Sequence, residues 1–416
     1  MQLRYNFRLD PTPEQIRNLA KAFGCARVVF NDGLVARRAA RAGGMSYPKV
    51  SDLSRTLITE AKRTPERAWL GDVSTVVLQQ ALHDLDMAYR NYFDSLLGRR
   101  KGPKVGEPRL RSHKDSWQTV RFMRNGFRLR GNGRLYLAKI GEVAVRWSRD
   151  LPSAPSSVTV VKDASGRYFA SFVVQTDPDA DLERFPAGDA YAETGIDLGL
   201  MHFAVRDNGE KIDAPKFLRK AERRLRKLQQ SLSRKQKGSS NRAKARVKVA
   251  KAHAKVADAR QDFHHKLSTT LIRENQAVYV EDLCVAGLGR TRLAKSVHDA
   301  GWSAFVAMLE YKAARYGRTF AKVDRFAPTS QVCSGCGVKD GPKPLNVRQW
   351  TCGACGAVLD RDVNAAKNIV TLGKQVAAGR AETLNACGAQ VRPGFVPAPR
   401  DEAGTRRGDF EQAVPA

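Results

Sequence analysis

Four cysteines and three acids have the residue types and spacing for chemistry in this chain. Cys333 and Cys336 form one C-x-x-C pair, Cys352 and Cys355 a second, and fifteen residues lie between the pairs. That spacing is typical of a four-thiolate zinc ribbon. Glycine follows each pair (Gly337, Gly356) and lies inside each (Gly335, Gly353), where the backbone must turn tightly to aim amides at sulfur. Two redox dithiols are the competing reading, and two knuckles at this spacing favour a single zinc ion. Four thiolates complete a tetrahedron and leave no open position for water, so this zinc is structural and catalysis must come from elsewhere.

The acids are the remaining source. Asp197 sits among Ile196, Leu198 and Leu200 in GIDLGL. A charge inside such a strand costs free energy unless it is paired or bound to metal; the plain alternative is an exposed strand edge. Glu281, followed by Asp282, ends the apolar strand Ala277 to Val280, a position that recurs at α/β active sites and that can also be a mere strand terminus. Asp360 and Asp362 open the Ala-rich helical run LDRDVNAAKN, where an aspartate ordinarily caps the helix or favours its dipole. Asp197, Glu281 and Asp362 are the set expected to converge. Three carboxylates that close cannot all stay ionised without cations among them. Two magnesium ions about 3.5–4 Å apart would meet that need and suit phosphodiester hydrolysis. No nucleophile set competes, because the seven histidines are dispersed and the His264–His265 pair lies in the helix before the Glu281 strand.

Charge names the partner class. The 416 residues include 72 Lys plus Arg against 42 Asp plus Glu, a formal charge of +30, and such a chain binds polyanions. The run Lys216 to Lys255 holds sixteen Lys plus Arg and one acid, Glu222. It carries Leu218, Leu225, Leu228 and Leu232 along one stripe, and GSSN at 238–241 is expected to split it into two antiparallel helices. Charge so one-sided repels itself unless RNA or DNA lies alongside. Arg109, Arg111, His113, Lys114, Arg121, Arg124, Arg128 and Arg130, with Trp117, Phe122 and Phe127 among them, make a second basic and aromatic stretch suited to nucleic acid; the plain alternative, the more common for any single residue, puts the aromatics in the barrel core and the arginines in solvent. Cys25, Cys284 and Cys387 read as free thiols of a reducing cytoplasm, the first two buried. The sequence has neither an apolar run of about eighteen residues nor a charged-then-apolar leader, so no membrane span or secretory signal is expected.

The elements that must position these groups follow from periodicity. Met1 to Asp10 alternates Leu3, Tyr5, Phe7 and Leu9, the pattern of a half-buried strand. PTPEQ opens a helix capped by Thr12 or Asp10, with Pro13 in its first turn. Helical spacing then continues from Gln15 to about Arg100, through Leu19, Phe23, Val28 and Phe30 and later Leu78, Leu82, Leu85, Tyr89, Tyr92 and Phe93. Beyond GPKVGEPR, Trp117 to Trp147 and Ser156 to Gln175 read as short strands punctuated by RGNGR and KDASGR. These readings predict a β-barrel over 1–10 and 108–176 interrupted by a helical domain at 11–107. A linker at 177–190 follows, and a disordered tail is expected at 376–416. Between them the order runs strand, strand, basic helices, strand with terminal acid, helix, strand, ribbon, helix with initial acid. That order fits an RNase H-like α/β domain at 191–330 and 358–375 with a zinc ribbon inserted at 331–357, in a multidomain α+β chain.

The stretches PTPEQ, FGCARVVFND, GIDLGL, DFHHKLS before VYVEDL, RFAPTSQVCSGCG and CGACGAVLDRDVNAAKNI together resemble the TnpB family, transposon-encoded relatives of type V CRISPR effector nucleases. The resemblance spans roughly residues 1 to 375. It implies an RNA-guided DNA endonuclease with a RuvC-type nuclease domain, a guide RNA made from the transposon end, and a double-stranded DNA target beside a short flanking motif. It further implies two catalytic magnesium ions on Asp197, Glu281 and Asp362, and one zinc on Cys333, Cys336, Cys352 and Cys355. The barrel becomes a wedge domain, the helical insert a recognition domain, and the chain a monomer of the bacterial or archaeal cytoplasm. The neighbouring acids Asp360 and Asp282 are set aside by the D-x-N-A-A alignment and by the strand's end. The rival readings are a DNA-strand transposase, a nuclease-dead RNA-guided regulator, and a zinc-ribbon RNA-binding protein without catalysis.

Overall fold

The computed structural model describes residues 1–177, 192–344 and 346–386. The expected linker, apart from Asp177, and residues 387–416 with Cys387 lie outside these. The chain forms two compact units, Met1–Asp177 with Leu228–Lys251, and Pro178–Lys227 with the remainder.

The first unit is built on seven antiparallel strands. β1 (Gln2–Asp10) pairs with β5 (Gly141–Arg146) and β7 (Tyr168–Gln175), and the full order is β2-β6-β7-β1-β5-β4-β3. Its edges are β2 (Gln118–Met123) and β3 (Phe127–Leu129), with β4 (Leu135–Leu137) and β6 (Ser157–Lys162) inboard. Only residues 124–126 join the two edges, a reach of about 14 Å. A flat sheet of seven strands would hold them about 29 Å apart. The sheet therefore curls into a half-barrel around Phe7, Phe122, Val158 and Phe172, all essentially inaccessible.

The insertion between β1 and β2 is helical, as periodicity predicts. α1 (Pro13–Ala42) starts on a capping box in which the Gln15 amide donates to Thr12 Oγ1 at 3.3 Å and the Thr12 amide to Gln15 Oε1 at 3.0 Å, so Thr12 rather than Asp10 is the cap. α2 (Val50–Ser54) and α3 (Thr75–Leu96) follow, α3 burying Leu78, Leu82, Leu85 and Tyr89. Val29, not Val28, faces the core of α1, because the stripe through Phe23, Ala26 and Phe30 puts Val28 at its margin. Of the aromatics that could serve a nucleic-acid surface or the barrel core, Phe122 and Phe127 are core, while Trp117 is 63% exposed. Arg37 is likewise internal, its guanidinium 2.8 Å from Asp86.

The second unit holds five strands in the order β10-β9-β8-β11-β12. β8 (Glu193–Leu198), β9 (His202–Arg206) and β10 (Lys211–Asp213) meander antiparallel, whereas β11 (Ala277–Glu281) and β12 (Thr319–Val323) join β8 in parallel. Parallel neighbours need crossover helices. α4 (Phe217–Ser233) and α5 (Ser240–Glu274) precede β11. α6 (Val285–Leu288), α7 (Ala294–Ala300) and α8 (Trp302–Arg315) lie between β11 and β12, and α9 (Arg361–Ala386) closes the described chain. The hairpin β13 (Gln349–Thr351) and β14 (Val358–Asp360) belongs to the cysteine segment before α9.

Strand alternation sorts the core into two faces. Ile196, Leu198, Val278 and Val280 pack with Leu271, Trp302, Phe305 and Leu309 on one, and Ala277, Tyr279, Ala321 and Val323 pack with Ile369 of α9 on the other. In the basic run Leu225 is buried and Leu218, Leu228 and Leu232 half-buried, while most of the cations face solvent. The break between its helices falls at residues 234–239, where the Arg242 guanidinium donates to the carbonyls of Leu232 and Lys235 at 3.0 and 2.8 Å.

Two expectations fail. Cys284 is exposed because it precedes the short α6 beyond the strand end, although Cys25 is buried. The expected tail from 376 is helical to Ala386, continuing α9. The helix expected to carry His264 and His265 before β11 is present as the end of the long α5. Among the described residues no helix is long and apolar enough to cross a membrane.

Candidate metal centres

The cysteine centre assembles from two knuckles of the same local design. In each, the amide of the glycine after the pair donates to the carbonyl of the first cysteine, Gly337 to Cys333 at 2.8 Å and Gly356 to Cys352 at 2.9 Å. Both glycines are left-handed, at φ 75° and 71°, where a side chain would be strained. The four sulfur atoms lie within 4.8 Å of one another, with Cys333 to Cys355 and Cys336 to Cys352 each 3.7 Å apart. A tetrahedron with Zn–S near 2.3 Å has an edge of about 3.8 Å, so the spacing matches a four-thiolate zinc site. Amides of Cys336 and Gly335 pull the Cys333 thiol down to about 7, whereas burial and the neighbouring sulfurs push Cys336 up to about 12, as fits sulfurs packed so closely that only a metal could replace all their protons.

The acidic centre follows from strand parity. Val280 pairs with Ile196, so one further step sets Glu281 beside Asp197 on adjacent parallel strands, side chains on the same face. That face belongs to α9. Gly195, two residues before Asp197, meets the helix so closely that an added Cβ would lie 2.1 Å from the Ala366 carbonyl oxygen and 2.9 Å from the Val370 nitrogen. Gly373 abuts Tyr279 in the same way, since an added Cβ there would lie 2.3 Å from the ring. The helix thus lies flat on the sheet, with Asp362 in its first turn. Overpacking at such a contact costs about 1–3 kcal/mol. Gly195→Ala should lower the chemical-denaturation midpoint accordingly; an unchanged midpoint would contradict the close approach.

Electrostatics registers the convergence. The Asp197 carboxyl is pushed up to about 7, first by burial, then by the charges of Asp362 and Glu281, against which Arg361 and Arg348 act. Glu281 is raised as well, by burial and by Asp282. Among the described residues the four cysteines are the one group of metal-ligating side chains within 4.8 Å of one another, and the three carboxylates do not meet that spacing.

The neighbouring acids have other partners. Asp360 caps α9, its Oδ1 accepting the amides of Asp362 and Val363 at 3.0 and 3.1 Å, while its Oδ2 meets Lys211 Nζ at 2.6 Å. Asp282 is ion-paired with Arg325. His264 is buried, within hydrogen-bonding distance of the Ala300 carbonyl at 2.9 Å, so it joins no nucleophile set.

Sequence reasoning missed the residues that join the two centres. Asn364 and Asn368 are buried on α9. Asn364 accepts the Ser334 amide at 2.8 Å, and both asparagines donate to the Val332 carbonyl, at 2.8 and 2.7 Å. Asn368 also donates to the Thr329 carbonyl at 2.8 Å. The loop into the first knuckle is therefore clamped to the helix that carries Asp362. Their i, i+4 spacing in NAAKN was the available signal. Arg348, at the start of the second half of the ribbon, places Nη1 3.4 Å from both Asp362 oxygens, and nothing in its sequence context marked it.

Comparisons with known proteins agree with this architecture. Residues 175–292 match a family described as "Probable transposase", 302–369 one described as "Cas12f1-like, TNB domain", and 1–44 a "Helix-turn-helix domain", although here 1–44 fold as a strand and one long helix. A "Putative RNA-guided DNA endonuclease" of Streptomyces pristinaespiralis is 43% identical over 396 residues, 94% of this chain and 92% of that one. The "Putative RNA-guided DNA endonuclease InsQ" of Escherichia coli (strain K12) is 28% identical over 408 residues, 94% and 95% of the two chains. A chain of the cryo-EM structure of a Cas12f1-sgRNA-target DNA complex superposes with a TM-score of 0.51 at 14% identity, covering 86% of this chain and 82% of that one, which speaks to the fold. Fold and cysteine site together define a mixed α/β protein with a cluster able to hold zinc. With a relative this similar along nearly its whole length, the chain belongs to the TnpB family.

Proposed function

We propose that the protein is an RNA-guided, magnesium-dependent DNA endonuclease of an insertion-sequence transposon, cutting double-stranded DNA beside a short flanking motif. Asp197, Glu281 and Asp362 are its catalytic ligands, and the cysteine ribbon holds one structural zinc. The observation that carries the reading is Asp197, a carboxyl in an apolar strand pushed up to about 7 partly by the other two acids. Such a set is at odds with itself until cations arrive, and carboxylate oxygens are the donors that magnesium prefers. Asp197, Glu281 and Asp362 would hold the magnesium, which would activate water and offset charge on the leaving 3′ oxygen. The protein's part is to hold the three carboxylates on β8, β11 and α9 and to keep Asp360 and Asp282 occupied elsewhere. Arg348 is placed to answer phosphate charge beside Asp362.

The sheet order third, second, first, fourth, fifth of the second unit supports an RNase H-like, RuvC-type domain at 191–330 and 358–375, with the ribbon at 331–357. The half-barrel then serves as a wedge domain and the helical insert as a recognition domain. Base pairing to a guide RNA from the transposon end would read the sequence, and the protein would grip the hybrid by shape and charge. The names of the two relatives favour this over strand transfer, and the intact acid set favours it over a nuclease-dead regulator.

Protein co-expressed with its transposon-end RNA, given plasmid carrying the matched target, should cut it with magnesium and leave it intact with a chelator. Joined DNA ends, or no cutting with any guide, would overturn the proposal. Binding to nucleic acid should also weaken steeply with salt. Six or more phosphate contacts predict a loss of about 10³-fold or more between 50 and 200 mM salt, and a flat response in a filter assay would rule out the basic helices as the grip.

A further inference from the structure

The face of the five-stranded sheet turned away from the acids carries a cavity of about 240 Å³ within the second unit. Phe203, Phe217 and Phe263 wall it, with the Phe263 ring 5.1 Å from Phe203 and 6.2 Å from Phe217, both edge-on. Lys216, Arg219 and Arg260 supply its cations. Asp299 is the acid in the wall, and it is committed to the start of α4, accepting the amides of Leu218 and Arg219 at 2.8 and 3.1 Å. Three cations against one carboxylate leave the cavity at +2. Arg219 meets Ser296 Oγ at 2.6 Å, and Arg260 stands 3.9 Å from Asp299 with its buried Nε lacking a hydrogen-bond partner. Lys216 holds φ at 53°, a strained backbone for a lysine and a conformation that clusters at ligand sites.

Flat apolar walls with surplus positive charge suit an anion with a flat apolar body. At about 240 Å³ the cavity is smaller than the pockets of roughly 300–1,000 Å³ that engulf drug-sized ligands, so it admits one ring system and not an oligomer. We propose that it binds a single unstacked nucleotide of the guide RNA, base against Phe217 and Phe263 and phosphate on Lys216, Arg219 and Arg260. This rests on the RNA-guided reading above. RNA is favoured because loops and bulges offer splayed bases without cost, whereas a base of duplex DNA must first be unpaired. The cavity also lies at the root of α4, where the basic run begins and would track the backbone.

The test uses the full chain bound to its transposon-end RNA, with uridines replaced by thiouridine, irradiated and mapped by peptide mass spectrometry. Crosslinks in the peptides carrying Phe217 or Phe263 are expected. Arg219→Gln and Phe263→Ala should each weaken RNA binding about tenfold at unchanged zinc content, the Arg219 variant guarding against misfolding of the other. Asp197→Ala should bind RNA as wild type does. Crosslinks confined to other peptides, with both variants binding normally, would overturn the nucleotide site while guided cutting by wild type still stood. Crosslinks there from labelled target DNA and not RNA would overturn the RNA assignment. Wild-type protein that binds no RNA would overturn the functional reading itself.

Discussion

Asp197→Asn should give a protein that is more stable than wild type at pH 8 without divalent cations and that no longer cuts DNA. Burial, and then the charges of Asp362 and Glu281, push the Asp197 carboxyl up to about 7 in the folded chain, against about 3.9 for an unfolded one. Between those values the folded state holds the extra proton, so stability falls as pH rises through that window and stays lowered above it. Asparagine keeps the shape without that cost. A gain of about 1–3 kcal/mol is expected above pH 7, allowing for the part of Asp197 that solvent still screens. Magnesium should reverse the order, because a ligand that binds only the folded state stabilises wild type and finds less to bind in the variant. Thermal melts at pH 8 with and without magnesium measure this, and cleavage should fall at least about 100-fold. Undiminished cutting would remove Asp197 from the mechanism, and equal melts would mean that ionised Asp197 carries no cost from burial or from its neighbouring acids.

Removing zinc should have the next largest effect. Among the described residues the ribbon buries only Cys333, Trp350 and Cys352 as a core, far too little apolar surface to hold it unaided. Structural zinc contributes about 10–16 kcal/mol of apparent binding free energy at neutral pH, so chelation should unfold the segment. The consequence reaches the acids, because Asn364 and Asn368 clamp the first knuckle's loop to α9 and Arg348 stands against Asp362. Hydrogen exchange should show residues 331–360 losing protection on chelation while β8 and β11 keep theirs, with cutting lost in parallel. Purified protein without about one zinc per chain, or a ribbon that stays protected without it, would contradict this.

The cysteine cluster was legible in sequence because its chemistry forces a visible pattern, and the proposed acid set was chosen on the same kind of signal. Thiolates for one tetrahedral ion must come as closely spaced pairs, and an acid in an apolar strand, as at Asp197, stands out against its neighbours. Asp362 could be told from Asp360 only by alignment, since both suit a helix start; the structure gives the cap to Asp360 through two backbone amides. Residues whose role lies in distant partners left no such mark. Arg348 is one of many arginines in a basic chain, and Gly195 reads as ordinary strand punctuation until the helix is seen 2.1 Å from its absent Cβ. For Phe122 and Phe127 the sequence left surface and barrel core both open, because basic residues surround them. In a strand those basic neighbours point the other way, and the rings went inward. The extension of α9 past 376 went unread because its Ala and Gly content matches a flexible tail as well as a helix.

The most direct test of the acid site is anomalous scattering from a crystal of the RNA complex soaked in manganese, which takes the oxygen ligands of magnesium. Two peaks bounded by Asp197, Glu281 and Asp362 are expected, both lost in Asp197→Asn. Peaks elsewhere, with those three carboxylates empty in a protein that still cuts its target, would contradict the proposed site.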